Sequence, residues 1–213
     1  MDSKIMSKVF LWMFIGLAVT FATGSVVANN PSMVLEIFKT VPLIFLAIIE
    51  LVLVIWLSAR ITKMSSTSAK FMFILYSFVS GLTFSSIFIV YNISAIIYVF
   101  LATALIMLIF ALIGYFTKLD LTKISTFLFM AIVGVIIMSL INIFVGSEQF
   151  SLTIAIISVL VFVIFIAYDV QSIKKLAESE IPEENLAIYG ALQLYLDFIN
   201  IFIDLLRIFA NRD

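Results

Sequence analysis

Six polar side chains share one face of an otherwise apolar stretch near the end of the chain. Between Leu186 and Ala210 the polar residues are Tyr189, Gln193, Tyr195, Asp197, Asn200, Asp204 and Arg207, with Asn211 just beyond. At about 100° per residue, Gln193, Asp197, Asn200, Asp204, Arg207 and Asn211 fall within an arc of roughly 80°, which Tyr195 leaves. Carboxylates and a guanidinium are costly in hydrocarbon, so such residues face a bundle interior or a water-filled path. Two further acids, Glu50 and Asp169, lie in apolar surroundings, and Arg60 closes the run that contains Glu50. Two carboxyls at close range do not both ionise readily, so a pair holds one proton between them and titrates as a unit. With both acids ionised they form a hard-oxygen site suited to Ca²⁺. A neighbouring arginine would compete as counter-ion and act as a latch. The structural alternative is that these charges only hold helices together through buried pairs.

Other chemistries are closed to this chain. It has no cysteine and no histidine, which removes thiol catalysis, Fe–S ligation, disulfides, Ser-His pairs, His-metal sites and an imidazole switch. Proton exchange near neutrality falls to carboxylates or lysine. A formal charge of −1 without a basic patch gives no footprint for nucleic acid.

The elements that must position these groups follow from composition. Of the 213 residues, 64% are hydrophobic and 12% charged, where a soluble domain is about half apolar and a quarter charged. The apolar residues come in long blocks, which predicts an all-α polytopic membrane protein made of one domain, residues 1–213. Seven spans are expected, at 9–28, 41–57, 71–91, 93–116, 124–145, 152–170 and 186–210. The first is too long for the roughly 7–15-residue apolar core of a signal peptide and is read as a span. Asn92 alone separates the third and fourth, which predicts a tight hairpin between them and not one long helix.

Nine of the twelve basic residues fall on one side of this plan: Lys4, Lys8, Arg60, Lys63, Lys70, Lys118, Lys123, Lys174 and Lys175. The other side has Lys39, Arg207 and Arg212. The positive-inside rule then puts the N-terminus in the cytoplasm and the C-terminus outside. In that orientation Asp169, Asp197 and Arg60 lie toward the cytoplasm and can meet there, while Glu50, Asp204 and Arg207 lie further out. Asp204 and Arg207 can also pair on adjacent turns. The loop 171–185 is read as a solvated connector, and Pro182-Glu183-Glu184 as a helix start. Gly16, Thr20 and Gly24 have the spacing of close helix packing. Tyr76, Ser80 and Thr83 share a face suited to interhelical hydrogen bonds or to lining a path. The polar stripe makes span seven the central helix of the seven, since only a helix shielded by others keeps such a face from lipid.

A motif joins these residues. Span six ends Ile166-Ala167-Tyr168-Asp169-Val170-Gln171-Ser172, and span seven carries Leu194-Tyr195-Leu196-Asp197-Phe198-Ile199-Asn200, with Arg207 downstream. This resembles the transmembrane Bax inhibitor motif family over essentially the whole chain. The resemblance implies a seven-helix fold with the C-terminal helix central and six around it. It also implies a pH-sensitive calcium leak with Asp169 and Asp197 as the paired aspartates, Arg60 as the latch, and Glu50 with Arg207 as a gating pair. Asp204 departs from the neutral residue common in relatives. It can bind Arg207 and weaken a contact with Glu50.

The expected function is therefore a calcium pathway, with Ca²⁺ as transported or bound ion, protons and membrane lipid as its other partners, no cofactor and no enzymatic activity. Two alternatives differ in class. One is a non-conducting regulator that binds other membrane proteins. The other is an intramembrane aspartyl protease, but the glycine-x-glycine-aspartate and proline-alanine-leucine elements of such enzymes are missing, and so are two spans. A cell-membrane location is expected.

Overall fold

The computed structural model describes residues 2–40 and 43–209. Val41, Ala210, Asn211 and Arg212, which figure in the expected spans, stripe and charge count, lie outside the described residues. The described chain is helical: α1 (Asp2–Ala28), α2 (Pro31–Thr40), α3 (Leu43–Arg60), α4 (Ser66–Val90), α5 (Ile93–Phe116), a short 3₁₀ turn (Leu121–Ile124), α6 (Ser125–Val145), α7 (Glu148–Leu176) and α8 (Glu183–Phe209).

Six of these helical segments among the described residues are long and apolar enough to cross a membrane: Ser3–Ala28, Ser66–Val90, Ile93–Phe116, Leu121–Val145, Glu148–Leu176 and Glu183–Phe209. The second expected span begins at residues outside the described set, and from Leu43 the chain is helical for 18 residues. The exterior agrees with a lipid surround. Phe14, Phe71, Phe127, Phe129, Leu140 and Phe144 are among many exposed large apolar side chains, far more than a water-soluble surface tolerates.

Observed boundaries extend past the apolar runs wherever backbone hydrogen bonds continue into polar turns. α7 continues to Leu176, so Gln171, Lys174 and Lys175 are helical and not part of a connector. α4 ends where Tyr91 turns extended, at φ −117° and ψ 142°, and α5 begins at Ile93, so no single long helix runs through. α6 stops at Gly146, whose φ of 65° suits a residue without Cβ and whose N–H caps the Asn142 carbonyl at 2.8 Å. Pro182 immediately precedes α8, and its carbonyl accepts from the Leu186 N–H at 3.0 Å. The ten-residue helix α2, with Pro31 in its first position, is an element the sequence reading missed, because it is too short to register as a span.

The chain forms two compact units. The first comprises residues 2–93 and 176–195. Here α1 and α4 approach at small residues. A Cβ on Gly81 would sit 2.5 Å from Thr23 Cβ and 2.8 Å from the Thr20 carbonyl, and one on Gly16 would meet the Phe73 ring at 2.6 Å. With little hydrophobic drive between helices in lipid, such backbone proximity is what holds them together. Packing is thus what Gly16 and its neighbours do. Tyr195, wholly buried, places its ring edge-on to Phe73 and Tyr76 at 6.0 and 5.9 Å.

The second unit comprises residues 94–175 and 196–209. A Cβ on Gly114 of α5 would fall 2.3 Å from the Ala167 carbonyl oxygen of α7. Phe100 of α5 packs on Phe198 and Phe202 of α8, with centroids 5.1 and 6.3 Å away.

Candidate ion site within the membrane

Asp169 of α7 and Asp197 of α8 both belong to the second unit. Their carboxyl groups lie within hydrogen-bonding reach of one another. Asp169 is 6% exposed and Asp197 3%. Oδ2 of Asp197 is fully buried and has no hydrogen-bond partner among the described residues. An unpartnered buried carboxyl oxygen is unfavourable unless a proton, a water or a cation completes it. Among the described residues no cluster of three or more His, Cys, Asp or Glu forms a ready cation cage.

The turn after Asp169 is firmly anchored. Gln171 donates from Nε2 to the Leu119 carbonyl at 2.7 Å and accepts the Leu121 N–H at 2.8 Å. Lys174 Nζ donates to the Tyr115 carbonyl at 2.7 Å and sits 4.2 Å from that ring's centroid. Lys175 pairs with Asp120 at 2.6 Å. These contacts fix the rotation of α7 and hence the direction in which Asp169 points. The expectation of a solvated connector therefore fails for residues 171–176 and holds after them, where Glu178 and Glu180 are exposed: a run of polar letters does not distinguish free side chains from ones that bind backbone.

Further along α8, Asp204 is 7% exposed. It accepts from Arg207 Nη1 at 3.3 Å, one turn on, and has Ser158 of α7 close by. Asn200 donates to the Leu196 carbonyl of its own helix at 2.7 Å. The outer half of the stripe is thus largely satisfied by local bonds.

In the first unit, Glu50 of α3 accepts from Ser80 Oγ at 3.2 Å and from Thr83 Oγ1, both on α4. This is the interhelical hydrogen bonding expected of that face. Tyr195, the residue that leaves the polar stripe, contacts Thr20 Oγ1 at 2.7 Å. Because Thr20 donates its only hydroxyl hydrogen to the Ser77 carbonyl at 2.9 Å, Tyr195 is the donor in that pair. Arg60 lies in this first unit, is exposed, and makes no ion pair among the described residues.

The start of α8 holds contacts the sequence did not reveal. Asn185, 1% exposed, donates to the Ile61 and Met64 carbonyls at 2.8 and 2.7 Å and accepts from Ser66 Oγ at 2.5 Å. It satisfies the end of α3 and the start of α4 together. Glu184 bridges Lys8 at 2.5 Å and Lys70 at 2.6 Å, and Glu183 reaches Lys8 at 2.9 Å. These acids are tied to α1 and α4, not free in solvent.

A family model described as "Inhibitor of apoptosis-promoting Bax1" matches residues 2–213. The chain belongs to the Bax inhibitor family. Among its relatives in this family is the inner membrane protein YbhL of Escherichia coli K12, 43% identical over 213 residues, covering 97% of this chain and 91% of the relative. An uncharacterized protein of Borreliella burgdorferi is 37% identical over 216 residues, covering 99% and 93%. An uncharacterized membrane protein of Streptococcus pyogenes serotype M1 is 40% identical over 169 residues, covering 78% and 73%. The Bax inhibitor family member described here is accordingly a multi-pass membrane protein, and none of these names carries an enzymatic activity.

Proposed function

We propose that this protein is a pH-sensitive calcium leak pathway, gated by protonation of the Asp169–Asp197 pair. One observation supports this most: two buried carboxyls in contact within membrane-length helices, with one oxygen left unpartnered. Such a pair attracts a cation when both acids are ionised and loses that attraction when it takes up protons. Ca²⁺ passage then falls as pH falls. Two carboxylates supply only part of the roughly 6–8 oxygens that Ca²⁺ prefers. Water and backbone carbonyls supply the rest, which makes a site loose enough for ions to leave.

In this reading Arg60 is a latch that holds the closed state through Asp169. Glu50, Asn200, Asp204 and Arg207 gate or line the outer part of the path. The protein is one seven-helix domain of the cell membrane, with α8 as the central helix, the N-terminus in the cytoplasm and the C-terminus outside. α8 supports this: 67% of its spanning stretch is buried, against 11–44% in the other five. The protein works without a cofactor and is not an enzyme.

The test is flux from liposomes that enclose a Ca²⁺ dye. Asp197→Asn and Asp169→Asn should each change the flux and flatten its dependence on pH between about 5 and 8. Unchanged flux and an unchanged pH profile in both variants would overturn the proposal. A wild-type protein that reconstitutes well but passes no Ca²⁺ would favour a non-conducting regulator.

A further inference from the structure

We propose that the turn between α3 and α4 binds the phosphate headgroup of an anionic glycerophospholipid. A cavity of about 610 Å³ opens here, wholly within the first unit, with Arg60, Lys63, Thr67 and Ser68 toward the turn and Trp56 and Phe71 among its other walls. Its polarity is graded along the helices. Trp56 lies four residues deeper than Arg60 on α3, and Phe71 four residues deeper than Thr67 on α4, or about 6 Å in each case. Cations and hydroxyls therefore occupy the end at the turn, and apolar surface the end toward the membrane.

The polar groups are also available. Among the described residues neither Arg60 nor Lys63 is engaged in an ion pair, in contrast to Lys8 and Lys70 on neighbouring helices. Ser65 caps α4 and donates its hydroxyl hydrogen to Ser68 Oγ at 2.9 Å, which leaves the exposed Ser68 hydroxyl its own hydrogen to donate. Two cations and two hydroxyls match a phosphate diester in charge and in donors. Trp56 is 45% exposed and Phe71 65%, a surface that an acyl chain covers and a free anion does not. A zwitterionic lipid would fill the apolar end but would bring its own cation against Arg60 and Lys63.

Arg60 is shared with the latch proposed above. Lys63, Thr67 and Ser68 are not, so the lipid site stands whether or not the protein conducts ions. Trp56 reports on it directly. The chain has two tryptophans, and Trp12→Phe leaves Trp56 alone while keeping an aromatic ring beside Lys70. The full-length Trp12→Phe protein, in phosphatidylcholine bilayers, is titrated with brominated phosphatidylglycerol or brominated phosphatidylcholine while Trp56 fluorescence is followed. Phosphatidylglycerol should quench at the lower mole fraction. At about one basic contact's contribution, its preference should drop roughly fivefold in Lys63→Gln and vanish in Arg60→Gln/Lys63→Gln. The charge-preserving pair Arg60→Lys/Lys63→Arg should retain it, and 10 mM inorganic phosphate (on the order of a large excess) should leave quenching unchanged. Equal quenching by the two lipids overturns the proposal. So does a preference that survives Lys63→Gln, or displacement by inorganic phosphate, which would identify a free-anion site.

Discussion

Asp120 and Asn185 show how far individual side chains can be assigned roles. The ammonium of Lys175, with help from Thr122, holds the Asp120 carboxyl down at about 2, from an ordinary 3.8. A depressed carboxylate of this kind contributes above its unfolded value and loses that contribution as pH falls from about 4 toward 2. The pair is therefore intact from pH 5 to 8, and Asp120→Asn should leave the pH profile of Ca²⁺ flux in that range unmoved. A shifted profile would place the switch in the connection before α6 and not at the aspartate pair. Asn185 has a structural role, with three bonds to the α3–α4 turn. Asn185→Ala strips two carbonyls of their donor, and equilibrium unfolding in detergent should register a loss of about 2–3 kcal/mol. Neither role was legible in sequence. An asparagine after two glutamates reads as any polar residue in a first helical turn, and its acceptors lie more than a hundred positions earlier in the chain.

At the scale of the helices, length and apolarity carried most of the information. Span four matches α5 at both ends, and spans five and seven begin within three residues of α6 and α8. Hydrocarbon thickness sets a minimum apolar length, and that minimum is visible as a run of letters. What the run does not show is how closely two helices approach. Glycine at 81 and 114 meets neighbouring backbone, whereas Gly134 of α6 has open space where a Cβ would go. Gly81→Ala and Gly114→Ala should each destabilise the protein by about 1–3 kcal/mol, because backbone cannot retreat as a side chain can. Gly134→Ala should be neutral or slightly stabilising, since alanine is the better helix former. Thermal melts of the three variants in one detergent would rank them, and equal melting temperatures would contradict the close approach. The three glycines are indistinguishable by composition, as each sits within an apolar helix.

For the molecule as a whole, the bias of basic residues predicts an N-terminus in the cytoplasm and a C-terminus outside. The chain lacks cysteine, so single introduced cysteines report without background. In intact cells a membrane-impermeant maleimide should label Met33→Cys on α2 but not Lys118→Cys, and in inverted vesicles the reverse. Labelling of Lys118→Cys from outside would invert the topology and the depth assigned to every acid. The sequence by itself determined that this is an all-helical membrane protein, where six of its expected seven spans lie, and which polar residues share a face of the last one. Those properties depend on local periodicity and on transfer of side chains to lipid, both of which act residue by residue. Only the tertiary structure decided which groups meet. It joined Asp169 to Asp197 and left one oxygen unpartnered. It matched Glu50 with Ser80 and Thr83, settled Asp204 on Arg207, and turned charges expected to be solvated into clamps at the ends of α7 and α8. Those pairings depend on how each helix is rotated against its neighbours. That rotation is fixed by close packing over the whole unit and is not encoded at any one position.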